Sequence, residues 1–294
     1  MSRAWKWVRE HAVMGVGILA VAYTLIPIIV IAVFSFNDPQ GKFNFTWEGF
    51  TLEHWKNAFG IPELTEALVL SIQLAFVSMI VATALGTLLA MGLVRYQFKG
   101  RRFANLLIVI PMATPEVVLG ASLLSMFVFI GVDRGFSTLW VAHIMFSISF
   151  VVVVVRSRLI GFDRSLEEAA RDLGATPWTT FRTVTLPLLT PGLAAAAMLA
   201  FALSLDDFVI SNFNSGTTVT FPLFIFGASQ RGIPVEVNVL ATILFIVTAI
   251  AMGFTVWQQR RAEKLAATRP DDEDTGLSAL ASGQRPVAGS SESA

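Results

Sequence analysis

The sequence predicts an all-α membrane protein of six transmembrane helices with both termini on the cytoplasmic side. Three observations carry that prediction. Hydrophobic residues make up 54% of the chain and charged residues only 14%, against roughly a quarter charged in a soluble domain. Six apolar stretches each approach or exceed the ~20 residues that a helix needs to cross a ~30 Å hydrocarbon core. The basic residues, finally, are spread unevenly over the connecting segments.

The spans fall at about 12–34, 67–93, 104–130, 137–155, 188–210 and 238–257, each bounded by charge, proline or a polar cluster. With the N-terminus inside, only Lys42, Lys56, Arg134 and Arg231 of the 21 Lys and Arg residues face outward, the bias expected of retained cytoplasmic loops. The first apolar run follows Arg3, Lys6 and Arg9 like a signal peptide. It is too long for an h-region and no small-x-small cleavage site follows, so it reads as an uncleaved span. Trp5 and Trp7 beside those cations suit the membrane interface. Residues 1–11 form a cytoplasmic N-terminus and 12–260 the six-span transmembrane domain. The tail from 261 to 294, rich in Asp, Glu, Ser, Gly and Ala, is expected to be disordered.

Polar residues inside the spans are expensive and mark cavities or partners. Glu116 follows Pro111 and Pro115, two prolines close enough to break or kink the third span and to free carbonyls at mid-depth. It either lines a pathway or makes an interhelical hydrogen bond. Asp206 and Asp207 lie toward the outer third of the fifth span. Paired carboxylates there would attract a cationic amine and accept its hydrogen bonds; alternatively one caps a helix end or pairs with Arg231 or Arg134. His143 in the fourth span is expected to hydrogen-bond a neighbouring helix, and the small residues Ala194 to Ala197 to permit close packing. In the outer segment 37–66 the aromatics Phe43, Phe45, Trp47, Phe50, Trp55 and Phe59 either rest on the membrane interface or dock an extracytoplasmic partner.

The segment between the fourth and fifth spans, residues 161–187, is the most specific. Ser165 with Glu168 has the spacing of a capping box, Glu167 can pair with Arg171, and Gly174 supplies a left-handed stop, so a helix over about 166–173 is predicted. Thr176 then caps a second helix that has Pro177 at its first position and is limited by Pro187. So short a helix is marginal unless it docks.

Glu168-Ala169-Ala170, three residues, Gly174, nine residues, Val184, one residue, then Leu186-Pro187 resembles the EAA loop of ABC importer permeases, in which Ile usually stands where Val184 does. The likeness covers roughly residues 15 to 260. Ser157 to Asp163, Ser204 to Phe208 and Pro234 to Thr242 resemble the polyamine (spermidine/putrescine) permeases in particular. The resemblance implies the type I ABC importer permease (MetI-like) fold and an inner-membrane location. It implies that Glu168, Ala169, Ala170, Gly174, Leu186 and Pro187 couple to an ABC ATPase dimer. It also implies a second, homologous permease subunit as heteropartner and an extracytoplasmic polyamine-binding protein. No nucleic-acid partner, cofactor or metal is expected. The chain has no Cys, no P-loop and no H-E-x-x-H, so an enzymatic reading finds no residues to stand on. A proton-coupled secondary transporter would use Glu116 and Asp206 as relays but leaves the loop unexplained, and a permease for a phosphonate, iron or thiamine remains the nearest alternative cargo.

Overall fold

The computed structural model describes residues 3–267 of the chain. Twelve helices follow one another: α1 (Arg3–Phe34), α2 (Glu53–Lys56), α3 (Pro62–Arg95), α4 (Arg101–Ala113), α5 (Glu116–Phe129), α6 (Phe136–Ile160), α7 (Ser165–Asp172), α8 (Pro177–Thr180), α9 (Leu186–Leu205), α10 (Val209–Asn214), α11 (Phe221–Arg231) and α12 (Val235–Ala267). The chain divides into two compact units, one ending at Val239 and the other beginning at Leu240, so α12 starts in the first and continues in the second.

Among the described residues five helices are long and apolar enough to cross a membrane, and a sixth crossing is reached only if the bent pair α4–α5 counts as one. The expected span at 104–130 is therefore not continuous: its halves meet at 109°. The cause is local. Pro115 cannot donate to a helix ladder and clashes with the preceding turn, so Thr114 before it takes an extended ψ of 132°. The span expected at 188–210 is also shorter, since α9 ends at Leu205 and Asp206 is its C-cap. α12, by contrast, continues through Ala267, past the tail boundary at 261. Residues 268–294, and the side chains of Trp5 and Trp7, lie outside the described residues.

The bundle is centred on α3, α6 and α9. Ala67, Ser71, Ala75, Ser78, Ala82, Gly86 and Ala90 recur every three or four residues of α3 and are all buried. Lipid tails are as apolar as leucine, so helices associate in a membrane by close packing rather than by burial from water, and a stripe of small residues lets backbones approach. A Cβ at Gly86 would lie 2.6 Å from Val151 Cγ1 on α6. Val151, Val152 and Val155 of α6 and Leu189, Ala196 and Ala200 of α9 complete this core. Of the small run Ala194 to Ala197, Ala196 is buried, whereas Ala194 and Ala195 face outward. A second core joins Leu119, Leu123 and Phe127 of α5 to Phe146 of α6 and Ile210 of α10. The membrane-length window of α1 buries none of its residues within the chain.

The segment after α1 is a folded unit built on one asparagine. Asn37, wholly buried, donates from Nδ2 to Asn44 Oδ1 (2.6 Å) and to the Thr46 carbonyl (2.7 Å), and its Oδ1 accepts from the Glu48 amide (2.8 Å). Phe36 stacks on both Phe50 and Trp55. Several of the other aromatics face outward, Phe45 being 64% and Phe59 61% exposed. His54 Nδ1 lies 3.0 Å from Glu236 Oε1, fastening the segment to the first turn of α12.

The α3–α6 contact makes a direct prediction. Gly86→Leu should lower the melting temperature of the detergent-solubilised chain, at a cost of about 1–3 kcal/mol from overpacking. Gly92→Ala, whose Cβ meets nothing within 4 Å, should leave it unchanged or raise it, and a chromophore-free thermal melt of the two variants checks both.

Candidate functional site

The short paired helices at one end of the bundle are held by an anchor that the sequence does not announce. α7 begins after Asp163, whose Oδ1 accepts the Ser165 amide at 2.9 Å. That bond holds the Asp163 carboxyl below its usual range. Ser165 with Glu168 does not form the expected capping box, because Arg164 occupies the N-cap position and makes no side-chain cap. Gly174 adopts φ +86°, the left-handed stop, and Leu173, at 89% exposure, forms an apolar tip. Thr176 accepts the Thr179 amide at 3.3 Å and Pro177 opens α8, as expected.

Glu167 does not pair with Arg171. It turns inward and is buried, accepting hydrogen bonds from Arg95 at the end of α3 and from Thr185 Oγ1 (2.5 Å). Arg164 adds a second tie, donating to the Val94 carbonyl at 3.3 Å. Successive residues of a helix point about 100° apart, so the face opposite this anchor presents Glu168 and Ala169, both exposed. Ala170 is half-buried.

Pro187 does not end the second helix. A π-helical turn, Phe181–Thr185, connects α8 to α9, and residues 177–205 form one continuous run. A proline clashes with the carbonyl four residues back and has no N–H to give it, and the wider π turn relieves both faults. Leu186 and Pro187 are thus the first turn of α9, joining α8 without a break to a helix of membrane-spanning length.

The two aspartates part company. Asp207 is buried, its Oδ1 accepting the Ile210 amide (3.2 Å) and its Oδ2 the Ser211 amide (2.8 Å), so it closes the start of α10. His143 Nε2 stands 3.4 Å from the same carboxylate. His143 links neighbouring helices, with Nδ1 2.7 Å from Ser204 Oγ and Nε2 3.1 Å from Ser211 Oγ. Asp206 is exposed at the end of α9. Neither aspartate pairs with Arg231 or Arg134 among the described residues. Glu116 is exposed in the first turn of α5, just past the α4–α5 break. Among the described residues no group of three or more His, Cys, Asp or Glu side chains could hold a metal ion.

The sequence profile of the binding-protein-dependent transport system inner membrane component family matches residues 82–264, a stretch that holds both the paired helices and the aspartates. The chain belongs to that family. Its relatives in the family include the spermidine/putrescine transport system permease protein PotC of Escherichia coli (strain K12), 40% identical over 230 residues, 78% of this chain and 86% of that protein. PotC of Haemophilus influenzae is 38% identical over 77% of this chain and 88% of that protein. The putrescine transport system permease protein PotI of E. coli is 37% identical over 84% and 91%. Among solved structures, the bacterial ABC transporter involved in import of the polysaccharide alginate matches with a TM-score of 0.64 at 19% identity, covering 88% of this chain and 99% of that one. The MetNI methionine ABC transporter matches with a TM-score of 0.55 at 20% identity, covering 68% and 95%. The fold is that of ABC importer permeases, and this family member is a transport subunit of the inner membrane.

The different surroundings of the aspartates predict different costs. Asp207→Ala leaves two buried amide donors unpaired, at about 1–3 kcal/mol each, and should sharply lower the yield and melting temperature of the permease. Asp206→Ala, at an exposed position, should stay within about 0.5 kcal/mol of wild type; thermal melts of the two purified variants give the comparison.

Proposed function

We propose that this permease forms half of the translocation pathway of an ATP-driven polyamine importer, carrying putrescine or spermidine. The observation that carries the reading is the 40% identity to a spermidine/putrescine permease across 86% of that protein's length. Cargo is the part of the reading that rests on relatives; the geometry bears on how transport is driven.

In this reading α7 and α8 lie on the cytoplasmic side, with both termini, in keeping with the basic residues concentrated there. Glu168, Ala169, Ala170 and Gly174 seat in a cleft of an ABC ATPase that hydrolyses ATP, and Leu173 supplies an apolar tip. Closure of the ATPase dimer pushes on α7. The push passes through Glu167 to Arg95 on α3 and through the continuous α8–α9 run, with Leu186 and Pro187 at its junction, to the end of α9. A binding protein loaded with polyamine docks on the outer side, where the exposed aromatics of residues 43–59 offer it a surface. A second, homologous permease subunit completes the pathway.

For the cargo itself, Asp206 and Glu116 are two exposed carboxylates, able to meet an ammonium group in a wet pathway by charge and hydrogen bonding. Asp207 has its oxygens occupied by backbone amides and contributes by fixing the turn that displays Asp206.

Uptake of radiolabelled putrescine and spermidine, with and without the gene, tests the reading, repeated after ATP depletion with the proton gradient intact. Gene-dependent, ATP-dependent uptake is expected. Uptake that survives ATP loss would point to a secondary transporter, and no gene-dependent uptake would dismiss polyamines as cargo. Glu168→Lys should abolish most uptake while ATP hydrolysis and membrane insertion persist, and Asp206→Asn should lower uptake several-fold at unchanged assembly.

A further inference from the structure

The bundle carries a second polar site, away from the aspartates, whose charge has the wrong sign for a cationic cargo. Where α3 ends and α4 begins, a cavity of about 580 Å³ is lined by Arg101, Arg102 and Arg156. Arg156 is oriented by Asn105, whose Oδ1 accepts from Nη1 at 2.8 Å. No carboxylate lies within 4.0 Å of any of these three guanidinium groups among the described residues, whereas Arg95, in the same part of the fold, is neutralised by Glu167. Gly100 turns the chain with φ +96°, and α4 then starts with no side-chain cap and no acidic residue in its first turn. Three uncompensated guanidinium groups and the amide end of a 13-residue helix describe a site for a phosphate-like anion.

The cavity adjoins an apolar groove. Phe98 lines both. One turn further along α4, Ala104, Leu107 and Pro111 face Leu89 and Gly92 of α3 and Met145 of α6 around a space of about 410 Å³. Gly92 leaves the groove open, since a Cβ there would meet nothing within 4 Å. From Arg101 to Pro111 the helix advances ~15 Å at 1.5 Å per residue, half of a ~30 Å hydrocarbon core and so the depth of one leaflet. A soluble anion would have no use for the groove, and a neutral apolar molecule none for the arginines.

We propose that this is a binding site for an anionic glycerophospholipid. Its phosphate sits among Arg101, Arg102 and Arg156, and an acyl chain lies along the α3–α4–α6 groove in the leaflet at the α7–α8 end of the bundle. The lipid would bridge α4 to α6 beside the Arg95 anchor, making that end of the bundle dependent on membrane charge.

Native mass spectrometry of the full chain, purified in detergent with equimolar phosphatidylglycerol and phosphatidylcholine, tests the site. Wild type should retain phosphatidylglycerol at least tenfold over phosphatidylcholine. The triple variant Arg101→Gln/Arg102→Gln/Arg156→Gln should bring that preference to within twofold. Gly92→Leu, which fills the groove and leaves every charge in place, should reduce retention of phosphatidylglycerol at least fivefold, with a melting temperature no lower than wild type. Equal retention of the two lipids by wild type would overturn the proposal. So would full displacement by inorganic phosphate together with normal retention in Gly92→Leu, which would make the site one for a free anion. In intact membranes a photoreactive residue at Leu107 should capture phospholipid; capture of a protein chain instead would assign the groove to a subunit interface and overturn the lipid.

Discussion

The arrangement depends on one inward-turned carboxylate. α7 is too short to hold together in water, since nucleation costs more than its few hydrogen bonds return. Glu167 gives it a fixed seat by taking hydrogen bonds from Arg95 on α3 and from Thr185 in the π turn before α9. Helical geometry then settles what is left outside: with Glu167 facing in, Glu168 and Ala169 face out. A loop held only by its own chain would yield under load. One pinned to the ends of two long helices can pass a displacement on, as the proposed coupling to an ATPase would require.

The same economy of polar contacts runs through the rest of the bundle. In hydrocarbon an unpaired polar group has no water to fall back on, and several of the buried ones here join elements, although Ser78, Ser147 and Asn214 Oδ1 find no partner among the described residues. Asp207 closes α10, His143 connects α6 to Ser204 and Ser211, and Asn214 Nδ2 donates to the Gly120 carbonyl of α5 at 3.3 Å. That last contact is possible because Gly120 has no Cβ to strike Phe213, whose ring carbon would be 2.8 Å away. The apolar packing is supplied by small residues on α3 and valines on α6, so backbones are close where the polar joints are sparse.

Much of this was legible in the residues. Long apolar runs marked the spans, Pro115 marked the break, Gly174 marked the end of α7, and the EAA spacing marked the family. What was not legible were pairings over long sequence distance and the choice between equivalent local partners. Glu167 has Arg171 one turn away, and nothing in the order of residues favours Arg95, 72 positions earlier, over it. Asp206 and Asp207 are alike until α9 ends, whereupon one becomes a cap and the other stays exposed. Pro187 read as a terminator because a π turn has no signature in composition. Asn37 sat unnoticed among aromatics, although a buried asparagine that satisfies both ends of its amide organises the whole segment around it.

The anchoring role of Glu167 is open to direct measurement by hydrogen exchange on the full chain, comparing wild type with Glu167→Gln. Hydrogen bonds to a charged group contribute about 1.5–3 kcal/mol, and each ~1.4 kcal/mol is tenfold. The amides of residues 169–175 should therefore exchange roughly ten- to a hundredfold faster in the variant, with α3, α6 and α9 as protected as before. Unchanged protection across α7 would contradict the anchor, and with it the proposed route from the paired helices to the bundle.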